Sequence, residues 1–200
     1  MDSIRRLEEM FAHFPGIGPR QAKRFVYYLQ SRSSGTIKEL TDLIKEVRSA
    51  TAECASCHRF FMDDSSGSHL CRICSDGERD QTTLMVVARD SDFETIEKSG
   101  AYKGLYFILG GTVPILDKEP EKRIRLRLLA DRVIKQKPSE VILSLNATPE
   151  GENTAQVVVK TLRAASSGLN ITMLGRGLST GAELEYVDAD TIKNALTNRK

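Results

Sequence analysis

A chain of 200 residues with 40% hydrophobic and 28% charged side chains has the composition of a folded protein with a sizeable core, which excludes general disorder. Lys plus Arg number 29 against 27 for Asp plus Glu, a formal net charge of +2, so the surface is not uniformly basic, although local basic patches are allowed. No apolar run approaches the roughly 18 residues needed to span a bilayer, and acids and bases interleave through MDSIRRLEE, unlike a secretion signal; the expectation is a cytoplasmic protein with no membrane attachment.

Ile4, Leu7 and Phe11 recur at i, i+3, i+7 with Met10 beside them, which predicts a first amphipathic helix. Phe14-Pro15-Gly16-Ile17-Gly18-Pro19 breaks it. A second helix follows with Ala22, Phe25, Val26 and Leu29 on one face, and Pro19 suits its first turn. A third opens at Thr36, where Thr36 to Glu39 fits a capping box, and Ile37, Leu40, Ile44 and Val47 continue an apolar stripe. Gly16 and Gly18 let the backbone approach a partner closely, and amides at a helix N-terminus face any anion placed there. Arg20, Lys23 and Arg24 follow within a turn and a half. Cations there oppose the helix dipole, a cost that a phosphate backbone would turn into attraction. The competing reading is a plain helix connection with solvated basic residues. The segment resembles the helix-hairpin-helix motif, which grips nucleic-acid backbones without reading sequence. Gly16, Gly18, Arg20, Lys23 and Arg24 are therefore the candidate DNA contacts.

All four cysteines fall in one stretch, as Cys54-x-x-Cys57, thirteen intervening residues, then Cys71-x-x-Cys74. Each CxxC turn offers two thiolates to one ion, and two turns complete the tetrahedron of a closed structural zinc. One zinc per chain is expected. A redox dithiol and a disulfide pair are the alternatives, disfavoured by a reducing compartment. His58 and His69 are expected not to bind the ion, since four cysteines saturate it. The insert between the pairs, acidic at its tip from Asp63 to Ser68, has too little apolar content to fold alone.

Beyond the cysteines, strand and helix alternate. Leu84–Ala88, Leu105–Leu109, Glu140–Leu145 and Asn170–Leu174 read as strands. Ser91–Lys98, Glu121–Lys135 and Glu152–Ala165 read as helices. That order predicts an α/β fold with a mostly parallel sheet, whose ligands gather at the carboxyl ends of the strands. Seven basic residues between Lys122 and Lys137 stand against Asp131 alone; the default reading is a solvated helix face, and a second phosphate-tracking surface is the sharper one.

Leu145 to Glu152, LNATPEGE, is similar to the Toprim signature of topoisomerases and primases, in which a glutamate after the first strand and a later DxD pair hold magnesium. Here the glutamate position is Ala88, and the DxD positions are Asn146 and Thr148. Glu150 and Glu152 remain, with Asp90 and Asp92 near the first strand. The resemblance thus implies a Toprim-type scaffold without its phosphoryl-transfer chemistry. A magnesium-dependent nuclease or primase is the competing function.

A helix-hairpin-helix, a four-cysteine finger and a Toprim-like sheet, in that order, resemble the RecR family of bacterial recombination mediators across essentially the whole chain. Arg79-Asp80-Gln81, Gly100 to Tyr106, Leu109-Gly110-Gly111, Glu150 to Ala155, Arg176-Gly177-Leu178 and Gly181 to Tyr186 add to the match. The resemblance implies a non-enzymatic DNA-repair protein that forms a ring-like homotetramer and works with RecO and RecF to load RecA at single-stranded gaps. It implies four parts, at 1–52, 53–77, 78–175 and 176–200, the last an assembly segment. It places Glu150 and Glu152 on the surface that meets RecO. The sequence departs from the family at Ala88-Arg89, where two glutamates are usual, and over 114–125, where a charged segment replaces a glycine-rich loop.

Overall fold

The computed structural model describes residues 2–63 and 67–199, so Asp64, Ser65 and Ser66 of the expected acidic tip lie outside the described residues. The chain divides after Thr51 into two compact units.

The first unit is helical: α1 Ser3–Ala12, α2 Pro19–Gln30 and α3 Ser34–Ala50. Asp2 caps α1 by accepting from the Ile4 amide at 3.2 Å. Ala22 and Val26 are buried on the inner face of α2. Phe11 meets Phe14 and Phe25 edge to face, each at 5.6 Å between centroids, and locks the α1–α2 pair. The third helix starts earlier than its expected opening at Thr36. The Ser33 hydroxyl caps it by accepting from the Thr36 amide at 3.2 Å, which places Thr36 inside the first turn. Leu40, Ile44 and Val47 of α3 remain exposed.

The second unit opens within β1 Thr51–Glu53, which forms a short ribbon with β2 Phe60–Met62, and continues with a one-turn helix α4 Arg72–Ser75. Next come β3 Asp80–Val87, α5 Asp90–Ser99, β4 Gly104–Ile108, α6 Leu126–Gln136, β5 Glu140–Ser144, α7 Pro149–Ala165, β6 Asn170–Met173 and α8 Ala189–Thr197. The main sheet is parallel throughout, in the order β4-β3-β5-β6. The winding direction reverses between β3 and β5, so the carboxyl ends of those two strands flank the switch point where such sheets bind ligands.

Strand alternation sorts the core into two layers. Leu84, Val86, Leu105, Phe107, Val141 and Leu143 face α6 and α7. Met85, Val87, Tyr106 and Ile108 face the other way, with Phe93 of α5, Ile73 and Cys54, Cys57 and Cys71. The cysteine module is therefore part of this core layer. It also covers the free edge of β4: the Ile108 amide donates to the Cys57 carbonyl at 2.8 Å. Arg132 of α6 ties the two together by donating to Ser56 O at 2.6 Å and Tyr106 O at 2.9 Å. A paired edge cannot recruit another chain's strand.

Besides α3, two more helix starts differ clearly from the sequence reading. The expected helix over Glu121–Lys135 is a single 3₁₀ turn at Pro120–Lys122 followed by α6, because the Arg125 amide is drawn out of helical register to Leu109 O at 2.9 Å. The helix expected from Glu152 starts at Pro149, with Thr148 capping it through its hydroxyl to the Gly151 amide at 3.2 Å.

Arg79 closes the lower end of β3. It donates to Gly104 O at 2.9 Å and forks onto both carboxylate oxygens of Glu97 at 2.8 and 3.0 Å. Burial works against the Glu97 charge, but the Arg79 guanidinium outweighs it and holds the carboxyl below its usual range. Arg79→Ala is expected to cost about 3 kcal/mol by leaving Glu97 uncompensated. Thermal melting should fall by roughly 6–12 °C, and Arg79→Ala with Glu97→Ala should recover part of it. Because the folded pKa is depressed, this contribution is full at neutral pH and is lost as pH falls through that depressed value. The gap between native and variant melting should close there.

Candidate nucleic-acid interface and metal centre

The hairpin between α1 and α2 is a tight double turn. The Phe14 amide donates to Phe11 O and the Ile17 amide to Phe14 O, each at 3.0 Å. Gly16 sits at φ +75°, the left-handed conformation that favours glycine. Gly18 is extended and caps α2, its carbonyl accepting from the Gln21 and Ala22 amides at 3.0 Å. The amides of Gly16, Gly18 and Arg20 donate to no protein acceptor among the described residues. They are the orphan donors that an anion can satisfy. Arg20, Lys23 and Arg24 are exposed beside them. Arg24 hydrogen-bonds the neutral Gln21 side chain at 3.1 Å, and α2 contains no acid that could neutralise the three cations. Their spacing puts Arg20 and Arg24 on the face opposite buried Ala22 and Val26, with Lys23 on its flank.

In the cysteine module, the four Sγ atoms of Cys54, Cys57, Cys71 and Cys74 lie within 4.8 Å of one another, and Cys57 and Cys71 are 3.6 Å apart. That spacing is far longer than a disulfide bond of about 2.05 Å and close to the roughly 3.8 Å edge of a tetrahedron with Zn–S bonds of about 2.3 Å. Two thiol-bearing turns come together because β1 leads into Cys54 and α4 carries Cys71 at its N-cap. Hydrogen bonding from the Cys57 thiol, then from Cys71 and Cys74, pulls Cys54 far below the ordinary thiol range, and hydrogen bonding to Cys54 drives Cys57 and Cys74 far above it. Four sulfurs at this distance, those of Cys54, Cys57 and Cys71 buried and that of Cys74 partly so, cannot all hold negative charge against one another. A divalent cation removes that conflict, and the soft thiolate set fits zinc. Neither histidine belongs to the convergent group, and the His58 ring has another partner: its Nδ1 pairs with Glu53 at 2.9 Å. Arg125 reaches the same Glu53 oxygen at 3.3 Å. Nothing in the sequence signalled that contact, which spans more than seventy residues.

At the switch point, the residues around the Toprim-type positions are engaged structurally. Ala88 is buried, and its carbonyl accepts the Gly110 amide at 3.0 Å. Thr148 is the cap of α7. Asp90 accepts the Phe60 amide at 3.0 Å and so holds the β-ribbon to α5, and Asp92 accepts the Arg89 amide at 3.0 Å in a capping box. Glu152 is paired with Arg176 at 2.7 Å, and Glu150 receives the Thr112 hydroxyl at 3.5 Å. Both glutamates lie in the first turn of α7, where the helix dipole favours negative charge. Among the described residues, the four cysteines are the one group of three or more such side chains whose ligand atoms converge. Glu152 and Arg176 also line a cleft of about 1040 Å³ beside the β6 edge, walled by Met173, Leu174 and Asn194. Among the described residues, no helix is long and apolar enough to cross a membrane.

Comparison with known proteins fits this geometry. Residues 82–175 match the family model described as Toprim domain, and residues 177–200 match the model described as RecR, C-terminal. Curated relatives named Recombination protein RecR include one from Ruegeria pomeroyi, 38% identical over 98% of this chain and 96% of its own length. Others come from Cereibacter sphaeroides, 36% identical over 98% of this chain and 96% of its own, and Chloroflexus aggregans, 36% identical over 98% and 93%.

Proposed function

The chain belongs to the RecR family of recombination proteins, and on that premise we propose that it is a non-catalytic, DNA-binding mediator of recombinational repair. In this reading it binds DNA through the backbone, without sequence preference, and acts with RecO and RecF to load RecA at single-stranded gaps in the cytoplasm. The observation that carries the DNA contact is the α2 hairpin: free amides, a left-handed Gly16 and three exposed, unneutralised cations on α2. Gly16, Gly18, Arg20, Lys23 and Arg24 form that contact.

Zinc, one ion per chain, is held by Cys54, Cys57, Cys71 and Cys74 as a closed structural centre with no open coordination position. The replaced acids at 88, 146 and 148 support mediation rather than phosphoryl transfer. Glu150 and Glu152 present a partner surface for RecO. The four-part division at 1–52, 53–77, 78–175 and 176–200 is a functional one: hairpin, finger, Toprim-like scaffold and assembly segment. Exposed apolar side chains at both ends support assembly into a homotetramer, namely Leu40, Ile44 and Val47 on α3, and Leu178, Ile192 and Leu196 near the C-terminus.

Light scattering on the purified chain tests this assembly. A mass near four chains, kept when DNA is added, is the expected result. A monomer that fails to promote RecA loading on gapped DNA in the presence of RecO and RecF would overturn the mediator reading.

A further inference from the structure

The outer face of α2 carries more than charge. Tyr27 lies one turn beyond Lys23 and about two turns beyond Arg20, in line with the cations, and Tyr28 flanks it. Both rings are solvent-facing, with residue exposures of 56% and 57%. Each has a cation at its face: Lys23 Nζ lies 5.7 Å from the Tyr27 centroid and the Arg32 guanidinium 4.3 Å from that of Tyr28. A single exposed aromatic is ordinary. Two consecutive tyrosines continuing an acid-free cationic stripe are the combination that single-strand binding surfaces use, in which cations track the phosphates and rings stack on bases. Duplex DNA cannot use these rings, because its bases are already stacked on one another.

We infer that Tyr27 and Tyr28 form a stacking platform for unpaired bases, so that the same helix that holds the DNA backbone prefers single-stranded over duplex DNA. This rests on the reading of α2 as the DNA-contact face. The phosphates occupy the hairpin amides, Arg20 and Arg24, and the strand's bases turn onto the two rings at the far end of the stripe. Lys23 and Arg32 keep those rings oriented from one side.

The full chain provides its own spectroscopic probe, since it contains five tyrosines and no tryptophan. Binding of oligothymidylate should quench tyrosine fluorescence, and binding of a duplex of matched length should quench it far less. Tyr27→Ala with Tyr28→Ala should weaken oligothymidylate binding about 5- to 100-fold by anisotropy, while duplex affinity moves by less than about threefold. Tyr27→Phe with Tyr28→Phe should keep the affinity, since phenylalanine still stacks, and should lose most of the quenching signal. Thermal melts of both variants should match the native protein.

An unchanged ratio of single-strand to duplex affinity in the alanine variant overturns the platform, as does an equal loss on both DNAs. A changed solution mass with an unchanged ratio assigns the rings to an interface between copies and also overturns it. Failure of the underlying hairpin reading is distinguishable: there, Arg20→Glu with Arg24→Glu would leave binding to both DNAs intact.

Discussion

Cys57→Ser is expected to abolish stable zinc retention and to unfold most of the unit that begins at Ala52. Elemental analysis of the native protein should find about one zinc per chain, and the variant should hold almost none. The expected effect is large because the cysteine module is built into the core. Cys54, Cys57 and Cys71 are buried in the same apolar layer as Met85, Val87, Phe93 and Ile108, and the Cys57 carbonyl caps the β4 edge. Structural zinc contributes on the order of 10 kcal/mol of apparent binding energy, comparable with the whole stability of an ordinary domain. Loss of the ion leaves clustered thiols, strips one sheet face and opens an edge strand to aggregation. Chelation of the native protein should reproduce the variant's melting profile. Protons compete with the metal for the thiolates, so zinc should be released as pH falls. A zinc-free protein that melts at the native temperature would contradict the structural role of the centre.

Arg20→Glu with Arg24→Glu should remove DNA binding and leave the fold unchanged. Both side chains are exposed and neither closes an ion pair among the described residues, so the stability change should stay within about 0.5 kcal/mol. Glutamates in the opening turns of α2 would favour its dipole, so the helix itself is not threatened. DNA affinity is another matter. The double change removes two phosphate contacts and places two negative charges against the backbone. Binding at low salt should fall by at least roughly 100-fold, read by fluorescence anisotropy on a labelled oligonucleotide. Native affinity in that variant would remove the hairpin from the interface.

Much of this architecture was legible in the sequence because its signals are local. The PGIGP turn, the two CxxC pairs and the alternating apolar runs each depend on neighbours a few residues apart, and the helical N-terminus and parallel sheet follow from them. The docking of the cysteine module onto the sheet was not legible. It depends on Arg132 reaching Ser56 and on Ile108 pairing with Cys57, contacts between distant segments with no periodic trace. The 3₁₀ turn before α6 was hidden for the same reason: Arg125 is claimed by Leu109, and helical propensity yields to that tertiary bond. The acids near the switch point were visible as residues. Only geometry revealed that Asp90 serves the Phe60 amide, Asp92 a helix cap and Glu152 an ion pair. Tyr27 and Tyr28 carry no local sequence signal, because their alignment with Arg20 and Arg24 exists only on the folded helix α2.

The claim that this chain engages DNA through backbone charge, without cutting it, is tested most directly by a salt titration of native protein on DNA with magnesium present. A steep linear fall of log affinity with log salt, the same for unrelated sequences and with the DNA recovered uncut, is the predicted result. Affinity indifferent to salt, or DNA cleaved in a magnesium-dependent manner, would contradict it.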